Sequence, residues 1–507
     1  MDFLPSGSPG DDGERENFFR MGMILVSILF LGWMICFFTN YEYLFSVAVL
    51  ITVFVIAIVY TNTDLALFLM LFGIYFQDSP VEFISVAVPV ATLATLIVFP
   101  LIWAFRRHSE PIVRIRLKSF GFSGKFLYLF VAFFFLSALA AEYPGKTLVK
   151  GIAFPIFSFF LVVLNDYLRT RRRVHIFVRN LCLVVTILAF YGILQWIVVR
   201  KQIFLFLNEY IVPISWRYIT VKIGWATGEL GQFKSRAVFY HQNIYGAVLA
   251  SIAPILIGLF YFHRKRSYRA FFGVSFLAVS LALILASSRG GLLNYMVGCG
   301  VALLYIRPKH FWKMVFAGAA GMAGFIIVYI DKIIYYLRLS TGLSGRSQIW
   351  EYSLQMIQDS PWLGVGFLNM GEEFYSRFGP AYIVDMMLFF DRIHYETQKI
   401  SFESFHAHNL YLNLAVEMGV FIALAALVFY LLVITRLFLF LKREKLKKWE
   451  RMIAIGIMGV VCGSFVHSFF DTNTLHYIFL HIVVLMGIER AYIVRLVERD
   501  YIQRVEP

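Results

Sequence analysis

Apolar stretches of about twenty residues, the length that carries a helix across a hydrocarbon core, recur along this chain from Met21 to Glu489. That repetition excludes a soluble domain with one large core. The hydrophobic fraction is 60% over 507 residues and the mean hydropathy is +0.73, which is the composition of an integral membrane protein.

Read in units of one span, the chain holds roughly fourteen segments. Their approximate limits are Met21 to Thr39, Tyr43 to Tyr60, Asp64 to Phe76, Phe83 to Phe105, Lys125 to Ala141, Thr147 to Leu168 and His175 to Val199. After a polar gap come Asn243 to Phe262, Ala270 to Ala286, Gly291 to Ile306 and Phe311 to Ile330. A long loop precedes Tyr411 to Leu441, Met452 to Phe470 and Leu475 to Glu489. The expected fold is an all-α polytopic membrane protein with about 12–14 transmembrane helices.

Lys and Arg are retained in cytoplasmic loops, and alternate loops here divide cleanly by charge. Arg106 to Lys118, Arg169 to Arg173, Arg264 to Arg269, Arg307 with Lys309, and Lys442 to Lys448 are basic and are assigned to the cytoplasm. The loops between them face outward, and the short third span is retained because deleting it would turn a basic loop outward. The expected organisation is a cytoplasmic tail over 1–20 and transmembrane helices over 21–330, with an outer loop at about 200–242. A large outer loop over 331–410, C-terminal transmembrane helices over 411–490 and a second cytoplasmic tail over 491–507 complete it. The net charge of +15 then sits beside anionic lipid head groups, and nucleic acid is not needed to explain it.

Cys36, Cys182, Cys299 and Cys462 each fall inside a different apolar segment. They have no metal-type spacing and read as small packing residues. There is no Walker motif, Gly-rich phosphate loop or zinc signature, so neither a cofactor nor a metal is expected.

With sidedness assigned, four polar elements gather on the outer side. Arg236 lies just before the span at Asn243; Ser288, Arg289 and Gly290 form a very tight turn; Arg346 opens the long loop; and His406, Ala407, His408 and Asn409 close it. A single interfacial arginine also suits snorkelling to lipid phosphates. Three on one surface suit a diphosphate, because the guanidinium fork binds phosphate oxygens in pairs. Within the loop, Ile349, Trp350, Leu354 and Ile357 recur at helical spacing until Asp359, Ser360 and Pro361 stop the helix. Leu363 to Gly366 then reads as a turn with positive backbone angles, while Glu373, Asp385, Asp391 and Glu396 receive no role. His406 and His408 would face one way on a strand and diverge on a helix. A metal would need further ligands at fixed spacing. A base near neutral pH needs only the histidine, although His408 also suits a helix cap.

Gly345 to Trp350 followed by Asp359 to Gly366, and Ala407-His408-Asn409 followed after nine residues by Gly419, resemble the signatures at the two ends of the large periplasmic loop in the O-antigen ligase and polymerase superfamily. Ser288 to Gly290 and the Arg236 to Asn243 segment resemble two upstream elements, although Ala237 and Val238 stand where the family usually has Gly. The detailed likeness covers about Arg236 to Gly419.

The resemblance implies a GT-C-like bacterial inner-membrane enzyme with a large, partly helical periplasmic loop. It implies an inverting, metal-independent glycosyl transfer from an undecaprenyl-pyrophosphate-linked glycan to an acceptor hydroxyl. His408 and Arg289 would be catalytic, Arg236, Arg289 and Arg346 would hold the diphosphate, and Asn409, Glu417 and His406 are supporting candidates. The acceptor would be lipid A core in a ligase, a lipid-linked glycan in a polymerase and a protein in related enzymes, with ligase the first expectation. A transporter of the same lipid-linked glycan is the rival from another class. It should hold charges deep within its spans, whereas these candidates lie at span ends.

Overall fold

The computed structural model describes residues 55, 57–58, 62, 64–65, 67–69, 71, 99, 121–142, 144–151, 160, 164, 167–168, 171–201, 235, 237, 239, 242–309, 311–313, 316, 346–378, 406–442, 446 and 448–471. These residues are helical with intervening turns, and no strand occurs among them. In chain order the helices are α1 (Gly121–Ala140), α2 (Pro144–Gly151), α3 (Arg171–Lys201), α4 (Gln242–Phe262), α5 (Arg266–Ala286) and α6 (Arg289–Ile306). They continue as α7 (Arg346–Asp359), α8 (Leu410–Met418), α9 (Val420–Leu441) and α10 (Lys448–His467). A helical stretch also covers 370–378.

Six helices among the described residues, α3 to α6, α9 and α10, are long and apolar enough to cross a membrane. The chain is therefore a multi-pass membrane protein built from helices. The segments expected at Met21 to Thr39, Phe83 to Phe105 and Leu475 to Glu489 lie wholly or almost wholly outside the described residues.

Helix α4 is apolar on every side, and every residue from Ile244 to Leu259 is buried, as such a helix requires. α5 instead buries one stripe, including Phe272, Val279 and Leu283. It leaves Leu277 67% and Ile284 61% exposed, which is the apolar face a lipid-facing helix presents. Where apolar side chains gain nothing by leaving lipid, close packing of small residues holds helices together. Thus α6 meets α10 and α4 at Gly298, where a Cβ would lie 2.9 Å from the Gly459 carbonyl and 2.9 Å from Pro254 Cγ. Cys182 and Cys299 are buried thiols and Cys462 is partly buried, all unbridged, in keeping with packing roles.

The expected single span from Tyr411 to Leu441 is two helices. Gly419 breaks it with φ 91° and ψ 163°, and the Val420 N–H donates to the Pro361 carbonyl at 2.9 Å instead of continuing the helix. Nearby, Val365 N–H donates to Val416 O at 2.9 Å and Gly366 N–H to Glu417 O at 3.0 Å. The turn after α7 is therefore stitched to the end of α8. Its expected positive angles are present at Gly364 (φ 69°) and Gly366 (φ 100°).

Helix α7 forms over the expected residues, with a modified packing stripe. Ile349, Ser353 and Met356 are buried, whereas Leu354 is 54% exposed. The buried stripe joins Val365, Met370, Phe374, Ala407 and Val416 in one cluster, so α7 braces the histidine segment. Glu373, to which the sequence assigns no role, is buried and accepts from Arg377 Nε at 2.5 Å. Asp385, Asp391 and Glu396 lie outside the described residues.

Candidate active site

The turn between α5 and α6 is two residues long, and its sequence explains its shape. Ser287 takes φ 52°, a left-handed C-cap. Ser288 is extended and caps α6 by accepting the Gly291 N–H at 3.1 Å. A serine at this position satisfies one of the free amides of a helix start. Arg289, the first residue of α6, is exposed there, where the helix dipole adds positive potential. Gly290 is needed because His467 packs against it; a Cβ would stand 2.8 Å from the His467 ring nitrogen Nε2.

The Ser288 hydroxyl also donates to Asn243 Oδ1 at 3.1 Å. Asn243 lies in the first turn of α4, and its Nδ2 donates to Asp471 Oδ2 at 2.6 Å. Asp471 follows α10, so this chain of two hydrogen bonds joins the ends of three membrane helices.

The other oxygen of Asp471 faces the histidines. His406 Nε2 lies 3.7 Å and His408 Nδ1 3.5 Å from Asp471 Oδ1, and the two imidazole rings are 4.3 Å apart. The histidines thus point one way without a strand. Burial raises the Asp471 carboxyl's tendency to hold its proton, but the two histidine rings beside it outweigh that effect and hold it well below the usual carboxylate range. Asp471 is therefore an anion, 4% exposed, aimed at two imidazoles.

Local chemistry explains how the histidine segment keeps this pose. The Trp350 indole on α7 donates to the Ala407 carbonyl at 2.8 Å, and the Ala407 N–H donates to Asn413 Oδ1 at 3.2 Å. Asn409 caps α8 by accepting from the Leu412 N–H at 3.0 Å, while its Nδ2 donates to Phe469 O at 3.2 Å. The cap on α8 is therefore Asn409 and not His408. His408 itself has φ 50°, a left-handed conformation uncommon outside glycine, held by its neighbours in the manner typical of functional positions. Trp350→Phe keeps an aromatic ring but removes the donor to the buried Ala407. It should cost about 1–3 kcal/mol, read as a lower unfolding midpoint in detergent.

The structure brings His406, His408 and Asn409 together with the Ser288–Arg289 turn through Asp471 and Asn243. Arg236 and the side chain of Arg346 lie outside the described residues. The residues on either side of Arg236 are nevertheless anchored. Ser235 N–H donates to Leu285 O at 3.1 Å, beside the Arg289 turn, and Gln195 Nε2 donates to Ala237 O at 2.9 Å. Glu417 is 3% exposed at the far end of α8, about 10 Å along the helix from its first residue Leu410, where its carbonyl holds the Gly366 turn.

Asp471 and the Asn243 side chain were not singled out from the sequence. The available signal was weak: Asp471 is the first polar residue after an apolar span. The expectation of no metal rested on the lack of a third ligand near His406 and His408. Asp471 is a third group that could ligate one, with one donor atom from each residue all within 4.8 Å of one another.

Residues 273–427 match the family model described as O-antigen ligase. The match includes Arg289, α7, both histidines and Gly419. The chain is also 23% identical over 396 residues, 72% of each chain, to the teichuronic acid biosynthesis protein TuaE of Bacillus subtilis (strain 168). These likenesses support a glycosyltransferase of the O-antigen ligase/polymerase type.

Proposed function

We propose that this multi-pass membrane protein, which carries the O-antigen ligase family domain, transfers a glycan from undecaprenyl pyrophosphate to an acceptor hydroxyl, as a ligase in surface polysaccharide assembly. The reaction takes place at the outer face of the bacterial inner membrane, with both chain ends in the cytoplasm. The observation that carries this reading is the hydrogen-bonded line from Ser288, next to Arg289, through Asn243 to Asp471, whose other oxygen lies 3.7 and 3.5 Å from the His406 and His408 nitrogens. It supports a reading in which Arg289 is the cation and His408 the base.

A sugar pyrophosphate ester contains its own leaving group. Transfer therefore needs a base for the incoming hydroxyl and positive charge for the departing diphosphate. His408, with Nδ1–H turned to Asp471, presents Nε2 as the base. The acceptor oxygen attacks the anomeric carbon, its proton passes to Nε2, the carbon–oxygen bond to phosphate breaks, and the configuration inverts. Arg289 and the α6 N-terminus stabilise the departing diphosphate, together with Arg236 and Arg346. Asn409 fixes the backbone next to the base, and His406 shares Asp471. Neither nucleotide nor metal enters the reaction.

A polymerase is the second reading, favoured by a relative named for the biosynthesis of a polymer, teichuronic acid. It uses the same chemistry, with a lipid-linked glycan as acceptor. The test is turnover by purified protein in detergent with a lipid-pyrophosphate-linked glycan, candidate acceptors, EDTA and no ATP. Wild type should transfer the glycan, and the accepted substrate decides between ligase and polymerase. Arg289→Ala should lower the rate by about 100-fold. Undiminished transfer by that variant removes Arg289 from the mechanism, and a wild type that transports but never transfers the glycan overturns the enzyme reading.

A further inference from the structure

We propose that His406, His408 and Asp471 form a binding site for a divalent transition-metal ion of the zinc class, and that an ion held there switches transfer off. The inhibitory part rests on His408 acting as the base; the binding part does not. The two nitrogen–oxygen separations, 3.7 and 3.5 Å, are long for hydrogen bonds. They are close to the ligand-to-ligand edge around a tetrahedral zinc, about 3.4 Å for bonds of about 2.1 Å. All three donor atoms fall within 4.8 Å of one another, so an ion can be reached from each by small side-chain shifts.

The donor set decides the ion. Two imidazoles with one carboxylate suit zinc, cobalt, nickel or copper, whereas magnesium and calcium prefer oxygen shells. The support is also of the kind that metal sites use, since a ligating carboxylate is commonly fixed by a further hydrogen bond. Here Asn243 Nδ2 holds Asp471 Oδ2 at 2.6 Å and leaves Oδ1 turned to the histidines. The histidine side chains are 24% and 26% exposed and that of Asp471 only 5%, which gives the site an entry side.

The consequence for transfer follows from the tautomer. An ion on Nδ1 of His408 occupies that lone pair, so the ring's remaining proton must sit on Nε2. That nitrogen can then no longer accept the proton of an incoming hydroxyl. Binding also draws Asp471 away from its part in orienting the imidazole. The same three residues therefore serve transfer when free and prevent it when an ion bridges them.

The experiment uses full-length protein in detergent, stripped with chelator. Cobalt(II) is titrated and followed by its visible absorption, with zinc as competitor, and transfer is measured at buffered free zinc. One ion should bind per chain, zinc should displace cobalt, and His406→Gln and Asp471→Asn should each weaken binding by about tenfold or more. Wild-type transfer should fall with zinc and recover in EDTA, while the His406→Gln rate, compared with its own zinc-free value, should be much less sensitive. Absence of stoichiometric binding, or equal binding by correctly assembled His406→Gln protein, overturns the site. Binding that leaves wild-type transfer unchanged overturns the switch. A preparation inactive even in EDTA contradicts the transfer reading, while the cobalt titration still decides the site.

Discussion

Replacing His408 by alanine should lower the transfer rate by about 10² to 10⁴ without preventing assembly. The side chain is partly exposed, and the α8 cap belongs to Asn409. Asp471→Asn should come close to that loss although it changes one atom. Asn243 Nδ2 donates to Asp471 Oδ2 at 2.6 Å, so an asparagine at 471 would turn its amide oxygen to Asn243 and its NH₂ to the histidines. His408 Nδ1 would then accept, the proton would move to Nε2, and the base would be lost through its tautomer, as happens when a base's orienting carboxylate becomes an amide.

This explanation predicts a rescue. In Asn243→Asp with Asp471→Asn, the amide NH₂ at 471 donates to the new carboxylate and its oxygen again accepts from Nδ1–H. Ser288 can still donate to position 243. Transfer by the double variant should exceed that of Asp471→Asn alone. A rate equal to or below the single variant would show that Asp471 does not act by setting the tautomer. His408→Ala combined with Asp471→Asn should lose little beyond His408→Ala, because groups that act as a unit are not additive.

The parts of this molecule that were legible in the sequence depend on local pattern. Spans such as Gln242–Phe262 and Arg289–Ile306 announce themselves because lipid demands a continuous apolar run. Helix α7 is readable from its repeat and its stop. The arginine of the Ser288 turn and the histidine pair stand out because charge and imidazole are rare at the ends of such spans. Asp471 was not legible as a partner, since nothing in its own neighbourhood distinguishes it from a solvated acid at a helix end. Only tertiary packing carries it to its partners: α10 against α4 and α6 brings it to Asn243, and the bonds from Leu410 to Ser468 and from Asn409 to Phe469 bring it to the histidines. The break at Gly419 was hidden for a related reason. The apolar pattern runs through it from Tyr411 to Leu441, and a lone glycine inside a helical pattern is tolerated.

That break gives the largest expected effect on assembly, from Gly419→Ala. At φ 91° and ψ 163°, position 419 occupies a region reserved almost entirely for glycine, where another residue costs about 1–3 kcal/mol in backbone strain alone. Space adds to this cost. A Cβ would collide with the carbonyl group of Trp362 and come within 3.0 Å of the Leu363 nitrogen, and these backbone atoms cannot move aside as a flexible side chain can. Relief requires moving the Pro361 to Gly366 turn off α8 and α9, which sacrifices the bonds from Val420 to Pro361 and from Gly366 to Glu417.

The total loss should be about 3 kcal/mol or more, read as a lower unfolding midpoint in detergent and poor recovery of assembled protein. Gly145→Ala on α2 is the control, because nothing lies within 4 Å of its added Cβ and alanine favours a helix; it should be neutral or slightly stabilising. If Gly419→Ala is as stable as wild type, α8 and α9 can join into one helix and the loop start does not depend on the break. If it is unstable as expected, the glycine that ends α8 is held there by backbone geometry, because no other residue takes its φ and ψ beside the Trp362 carbonyl.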